Sequence, residues 1–161
     1  MRRLPALAMN ATPTATPSPL PALEQEFDRL ERLFAEYERL VDDGTGPTDL
    51  GARLGRIGGR VRAIVDFERE EVLPRLPAPA LRGETESQLA DLLARVERLA
   101  TRVSDQAHTE REARALAQAL RTHAAWQRHH VWPRLNGGER SLLETELAER
   151  RAAWLQDEAP D

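Results

Sequence analysis

The sequence predicts an all-α protein: an antiparallel up-down four-helix bundle made of two tandem helical hairpins, with a C-terminal fifth helix. Three observations carry this. Apolar residues recur in alternating steps of three and four over most of the chain, the spacing of one helical face turned to a core. The chain resembles itself at a shift of 59 residues, which lays Leu33–Val41 on Leu92–Ala100 and Arg69–Leu76 on Arg128–Leu135 without a gap. Two units are too few for a stacked array and suit an internally duplicated bundle.

Residues 1–20 are expected to form a disordered leader. The apolar patch behind Arg2 and Arg3 is short and broken by Pro5, and a Thr/Pro/Ala stretch follows. Such a composition holds neither a secretory segment nor a helix. Met9 is a second candidate for the initiating residue. The four-helix bundle is placed at 21–135. Its first helix carries Leu23, Phe27, Leu30, Phe34, Tyr37 and Val41 on one face. The run Asp42 to Pro47 turns the chain, and Thr48 is expected to cap a second helix bearing Leu50, Leu54, Ile57, Val61, Ile64 and Glu68. Gly58-Gly59 falls inside it and marks either a close crossing or a kink. Pro74 ends that helix.

Unit two repeats the scheme. Thr85 with Gln88 reads as a capping box, and Glu86, Leu89, Leu93, Val96, Ala100 and Val103 form the stripe. Thr109 with Glu112 reads as the next box, opening a helix with Ala113, Leu116, Leu120, His123 and Gln127. Pro133 ends it, Asn136-Gly137-Gly138 breaks the chain, and Ser141 with Glu144 is expected to cap a fifth helix within 136–157. That helix is expected to pack outside the bundle through Leu143, Leu147 and Trp154.

Composition excludes several classes of function. The net charge of −4 argues against a general nucleic-acid surface. The 23 basic residues are all Arg, dispersed among Glu on helical faces. With no Cys there is no disulfide, thiolate metal site or Cys nucleophile. No apolar run approaches a membrane span, so a cytoplasmic protein without a membrane partner is expected. A phosphate-binding Gly loop, a His-Glu-x-x-His motif and a haem-attachment motif are all missing, and nothing arranges a Ser-His-Asp triad.

Four polar residues interrupt the apolar stripes: Glu68, Glu86, His123 and Gln127. In antiparallel hairpins the start of one helix lies beside the end of its partner, so all four are expected at one end of the interior, facing one another. A buried carboxylate must be paired, hydrogen-bonded or metal-bound. The adjacent His129 and His130 point about 100° apart and cannot both face inward. His130 is expected at a solvated helix end and His108 in a surface loop. Phe67 and Trp126 occupy equivalent places and are expected to pack.

The helix-end segments IVDFEREEVLPRL (64–76) and HAAWQRHHVWPRL (123–135), on a repeated helix pair, resemble those of the hemerythrin-like (HHE cation-binding) domains. The resemblance spans about residues 23–135. It implies a di-iron centre held by a His from each first helix and a His-x-x-x-Glu from each second helix. Residue by residue, the first-helix positions fall on Phe27 and Glu86, and the His-x-x-x-Glu positions on Ile64/Glu68 and His123/Gln127. Asp66 and Glu70 share the spacing but not the seam. Glu68 and His123 alone match, and Glu86 is a replacement capable of ligation. The resemblance therefore implies a non-enzymatic binding or regulatory module without the di-iron centre and without a cofactor. The alternative is a single Fe or Zn ion at Glu68, Glu86, His123 and Gln127, serving redox, oxygen or small-ligand sensing. A homodimer through the fifth helix or exposed apolar patches is a further expectation, and the sequence does not identify a protein partner.

Overall fold

The computed structural model describes residues 20–101 and 105–158. They form five α-helices and no strand: α1 Pro21–Asp42, α2 Pro47–Phe67, α3 Pro79–Ala100, α4 Gln106–Trp126 and α5 Gly137–Asp157. Leader residues 1–19 and Val103 lie outside the described residues. Leu20, counted with the leader from sequence, is buried in the core and precedes the first helical turn.

Proline sets the helix starts. Pro21, Pro47 and Pro79 open α1, α2 and α3, where φ is pre-set and the missing N–H has no helical partner in any case. Thr48 and Thr85 are therefore inside helices instead of capping them, and Thr85 Oγ1 donates back to Leu81 O at 2.8 Å. Asp105, not Thr109, caps α4, accepting from the amides of Ala107 and His108. His108 thus lies in the first turn of α4. Asn136 caps α5 by accepting from Glu139 N while its own amide donates to Glu139 Oε1. This reciprocal pair starts the helix five residues earlier than Ser141 would. The α1–α2 turn closes on Gly44, at φ 74°. Its N–H donates to Val41 O and that of Thr45 to Leu40 O, satisfying the last carbonyls of α1.

α1 packs on α2, α2 on α3, α3 on α4, and α4 returns to α1. Between them lie Leu30, Ile57, Val61, Ile64, Leu89, Leu116 and their neighbours, all essentially inaccessible. Gly58 is the point of closest approach between α2 and α3: a Cβ there would lie 3.1 Å from Val96 Cγ1, whereas Gly59 faces open space. The Gly pair thus marks a crossing, carried by Gly58 alone. α5 lies against α1 and buries Leu143 and Leu147, with Trp154 packed at the edge of the core. Both carboxylate oxygens of Glu144 accept from Ala22 N (3.0 and 3.1 Å). α5 thereby supplies an anion to the N-terminus of α1, where the exposed helical amides favour negative charge.

Beyond Phe67 and Trp126 the chain runs through the same succession twice. A wide π turn (Glu68–Val72, Gln127–Val131) leads into a tight 3₁₀ turn (Leu73–Arg75, Trp132–Arg134), every boundary being 59 residues from its counterpart.

Candidate functional site

Each π turn has a local cause. A proline inside an α-helix removes a donor and presses its ring on the carbonyl four residues back. Pro74 and Pro133 impose this on Glu70 and His129. Widening the preceding turn relieves it, so that Leu73 N bonds to Glu68 O and Trp132 N to Gln127 O. The freed carbonyl of Glu71 accepts from Arg75 Nη1 at 2.5 Å. The first residue of each π turn, Glu68 or Gln127, is directed into the core, and each is at most 1% exposed.

Glu68 meets His123 of α4 there. His123 Nε2 is hydrogen-bonded with Glu68 Oε2 at 2.8 Å, and His123 Nδ1 with Gln88 Oε1 of α3, also at 2.8 Å. The Gln88 amide is oriented by its Nε2, which faces Glu84 Oε1 at 3.4 Å. Each ring nitrogen of His123 is thus engaged by a protein oxygen, one on Glu68 and one on Gln88. Glu68 Oε1 and both amide atoms of Gln127 are buried without a protein partner. A shallow groove between α3 and α4 reaches this chain from the side, past Gln88, Asp91 and Thr122 to His123.

Of the four expected site residues, Glu68, His123 and Gln127 are buried at the expected level and Glu86 is not. Glu86 is part-exposed and receives Arg69 at 2.5–3.1 Å. This hydrogen bond drives Arg69 still further towards its charged form. The inward residue of α3 is its neighbour Thr85, which is fully buried and faces Trp126 Nε1 at 3.4 Å. The same one-residue rotation holds in α1, where Glu26 is buried and Phe27 half-buried. The inner stripes run Leu23, Glu26, Leu30, Phe34, Tyr37 and Thr85, Leu89, Leu92, Val96; Leu93 stands partly outside and Ala100 is exposed. Ile64, at the place equivalent to His123, is pure core. Phe67 is wholly buried; Trp126 is partly buried and stacks on the exposed His130 at 4.1 Å.

Sequence reasoning missed two things. Gln88, read as a capping residue, is the second partner of His123. Glu26 and Arg60 form a second buried charge cluster: Arg60 Nε stands 2.9 Å from Glu26 Oε1, and Arg151 Nε of α5 donates to Glu26 Oε2 at 2.9 Å. Glu158 completes it, pairing with both Arg60 and Arg29. Its signal was the spacing itself, since Glu26 lies three after Leu23 and four before Leu30, and Arg60 lies three after Ile57 and four before Ile64.

These residues do not fit a di-iron centre. The positions that would supply its further imidazoles hold Phe27 and Ile64, and the lone pairs of His123 are directed at no open space, because Glu68 and Gln88 occupy both ring nitrogens. Among the described residues no three His, Asp or Glu side chains come together in a way that could hold a metal ion. No helix among them is long and apolar enough to cross a membrane. The chain matches no protein-family model, no curated protein and no solved structure.

Proposed function

We propose that this chain is a non-enzymatic binding or regulatory module built as a hemerythrin-like, antiparallel four-helix bundle from a duplicated hairpin, in which a hydrogen-bonded Gln88–His123–Glu68 chain stands where that family holds metal. One observation carries the reading: both nitrogens of His123 are engaged by protein oxygens at 2.8 Å. A liganding imidazole keeps one nitrogen for the metal and gives only the other to a protein acceptor. The closed succession of neighbours from α1 to α4 supports the bundle, and the matching turns at 59-residue spacing support the duplication.

Protein purified from medium supplemented with iron and zinc, then assayed for metal, tests this. The expected result is well below one ion per chain, unchanged by His123→Ala. Stoichiometric metal that disappears on His123→Ala would establish instead the single-ion site at Glu68, His123 and Gln127.

A further inference from the structure

A cavity lined by described residues has no part in the Glu68–His123 chain. It lies between α2 and α3 beside Tyr37, with a volume of about 740 Å³. That is within the range of small-molecule sites, roughly 300–1,000 Å³. Its floor is one face of α2, where Gly51, Gly55 and Gly58 follow one another at helical spacing. A Cβ at Gly51 or Gly55 would meet nothing within 4 Å, so these glycines are not demanded by helix packing, although each weakens α2 relative to Ala. Leu50, Leu54 and Leu99 contribute apolar surface.

Two polar features point to what would fit. Tyr37 is 2% exposed, and its hydroxyl has no hydrogen-bond partner. An orphaned buried hydroxyl is costly and calls for a partner. Among the described lining residues Arg62 is the one charged side chain, and none of them is a carboxylate. Arg62 is tied at the surface to Glu97 (2.8 Å), an exposed pair of low strength that an incoming anion can displace.

We infer that this cavity binds a small amphiphile with an apolar body and one anionic group, such as a medium-chain carboxylate. The body lies on the Gly51–Gly55–Gly58 face, the anion pairs with Arg62, and the Tyr37 hydroxyl donates to an oxygen of the ligand. This stands independently of the metal-free reading of His123.

Titration of the full chain with anilinonaphthalene sulfonate, followed by fluorescence, tests it. Saturable binding is expected in the parent, displaced by dodecanoate and far less by dodecyltrimethylammonium. Gly55→Leu fills the cavity and is expected to abolish binding. Gly59→Leu, equally open but outside the cavity, leaves it intact and controls for helix effects. Tyr37→Phe is expected to weaken binding about fivefold, the loss of one neutral hydrogen bond, while leaving the ligand-free protein as stable or more stable. A merely structural tyrosine would lower both together. Absent saturable binding, or equal binding by the Gly55→Leu and Gly59→Leu variants, would overturn the site. Equal displacement by the cationic amphiphile would overturn the ligand class.

Discussion

Glu68 and Gln127 occupy equivalent places, both open a π turn and both are buried, yet their replacement by Met should have opposite consequences. Glu68 Oε2 and His123 Nε2 are hydrogen-bonded at 2.8 Å with both side chains at most 1% exposed. Glu68→Met leaves His123 Nε2 buried without its partner, and a stranded buried polar group of this kind costs about 3 kcal/mol. Gln127 has no protein partner at either amide atom. Replacing an unsatisfied buried amide by an apolar side chain of similar length removes a desolvation penalty of about 1–3 kcal/mol. Gln127→Met should therefore be neutral or stabilising by about 1 kcal/mol, the lower figure allowing for imperfect packing of Met. At about 2–4 °C per kcal/mol for a chain of this length, the two variants should melt on opposite sides of the parent, Glu68→Met lower by roughly 6 °C or more. Urea unfolding followed by circular dichroism supplies the free energies. Combining Glu68→Met with His123→Leu should recover most of the loss, because replacing both partners of a buried hydrogen bond by apolar groups is often nearly neutral. Destabilisation by Gln127→Met of more than about 1 kcal/mol would refute the reasoning, since it would mean that the amide is a working member of the cluster. So would a double variant no better than Glu68→Met alone.

Two further outcomes are expected. Gly59→Ala, in open space, should stabilise α2 by about 1 kcal/mol, whereas Gly58→Ala must push back Val96 Cγ1, 3.1 Å from the new Cβ, and should lose that gain or fall below the parent in the same urea assay. Tyr37 is the single tyrosine of a chain with no Lys or Cys, and burial, reinforced by Glu110, raises its pKa above the ordinary 10.0. Its folded pKa being the higher one, the stability linked to the neutral hydroxyl is complete below 10.0 and is lost as pH rises through the folded value. Tyrosinate absorbance should therefore appear late in an alkaline titration of the native protein, and Tyr37→Phe should flatten the alkaline fall in stability; an onset at 10.0 in the folded state would contradict this burial.

The predicted stripes of the second helices were legible in the sequence: the positions named from Leu50 to Glu68 and from Ala113 to Gln127 are all inward, although Arg60 of the same face was missed. Those stripes pass through regular α-helix and end at a fixed punctuation, the Pro of each helix-end segment. The first helices were legible only to within one residue. A stripe stepping by three and four is satisfied by Leu23–Glu26–Leu30 as well as by Leu23–Phe27–Leu30. The apolar Phe27 drew the reading away from Glu26, and its partner Glu86 followed through the repeat. What burying Glu26 requires is two arginines, one of them from α5, and no local pattern around Glu26 announces a cation 125 residues away. The caps failed for a related reason: Thr85 and Thr109 have capping chemistry, but Pro79 and Asp105 stand earlier and start the helix first.

The buried charges also bear on where the folded unit ends. Among the described residues the buried ionisable side chains fall into two groups: Glu68 with His123 between α2, α3 and α4, and Glu26 with Arg60, Arg151 and Glu158 between α1, α2 and α5. The first group is complete within the first four helices. The second is not, because without α5 the carboxylate of Glu26 keeps only Arg60, whose Nη1 already lacks a partner, and both lose the cover of Trp154, 5.2 Å from the guanidinium. Two charges left half-covered in a core interface cost more than the same charges in water unless further hydrogen bonds compensate. α5 is therefore more than an appendage on a self-sufficient bundle: it brings Arg151 and Glu158 to charges that α1 and α2 bury, and Glu144 to the amide that α1 leaves open. The positions 59 residues further on hold Thr85 and Ala119, neutral residues that make no such demand, which is consistent with a fifth helix lying on one side only.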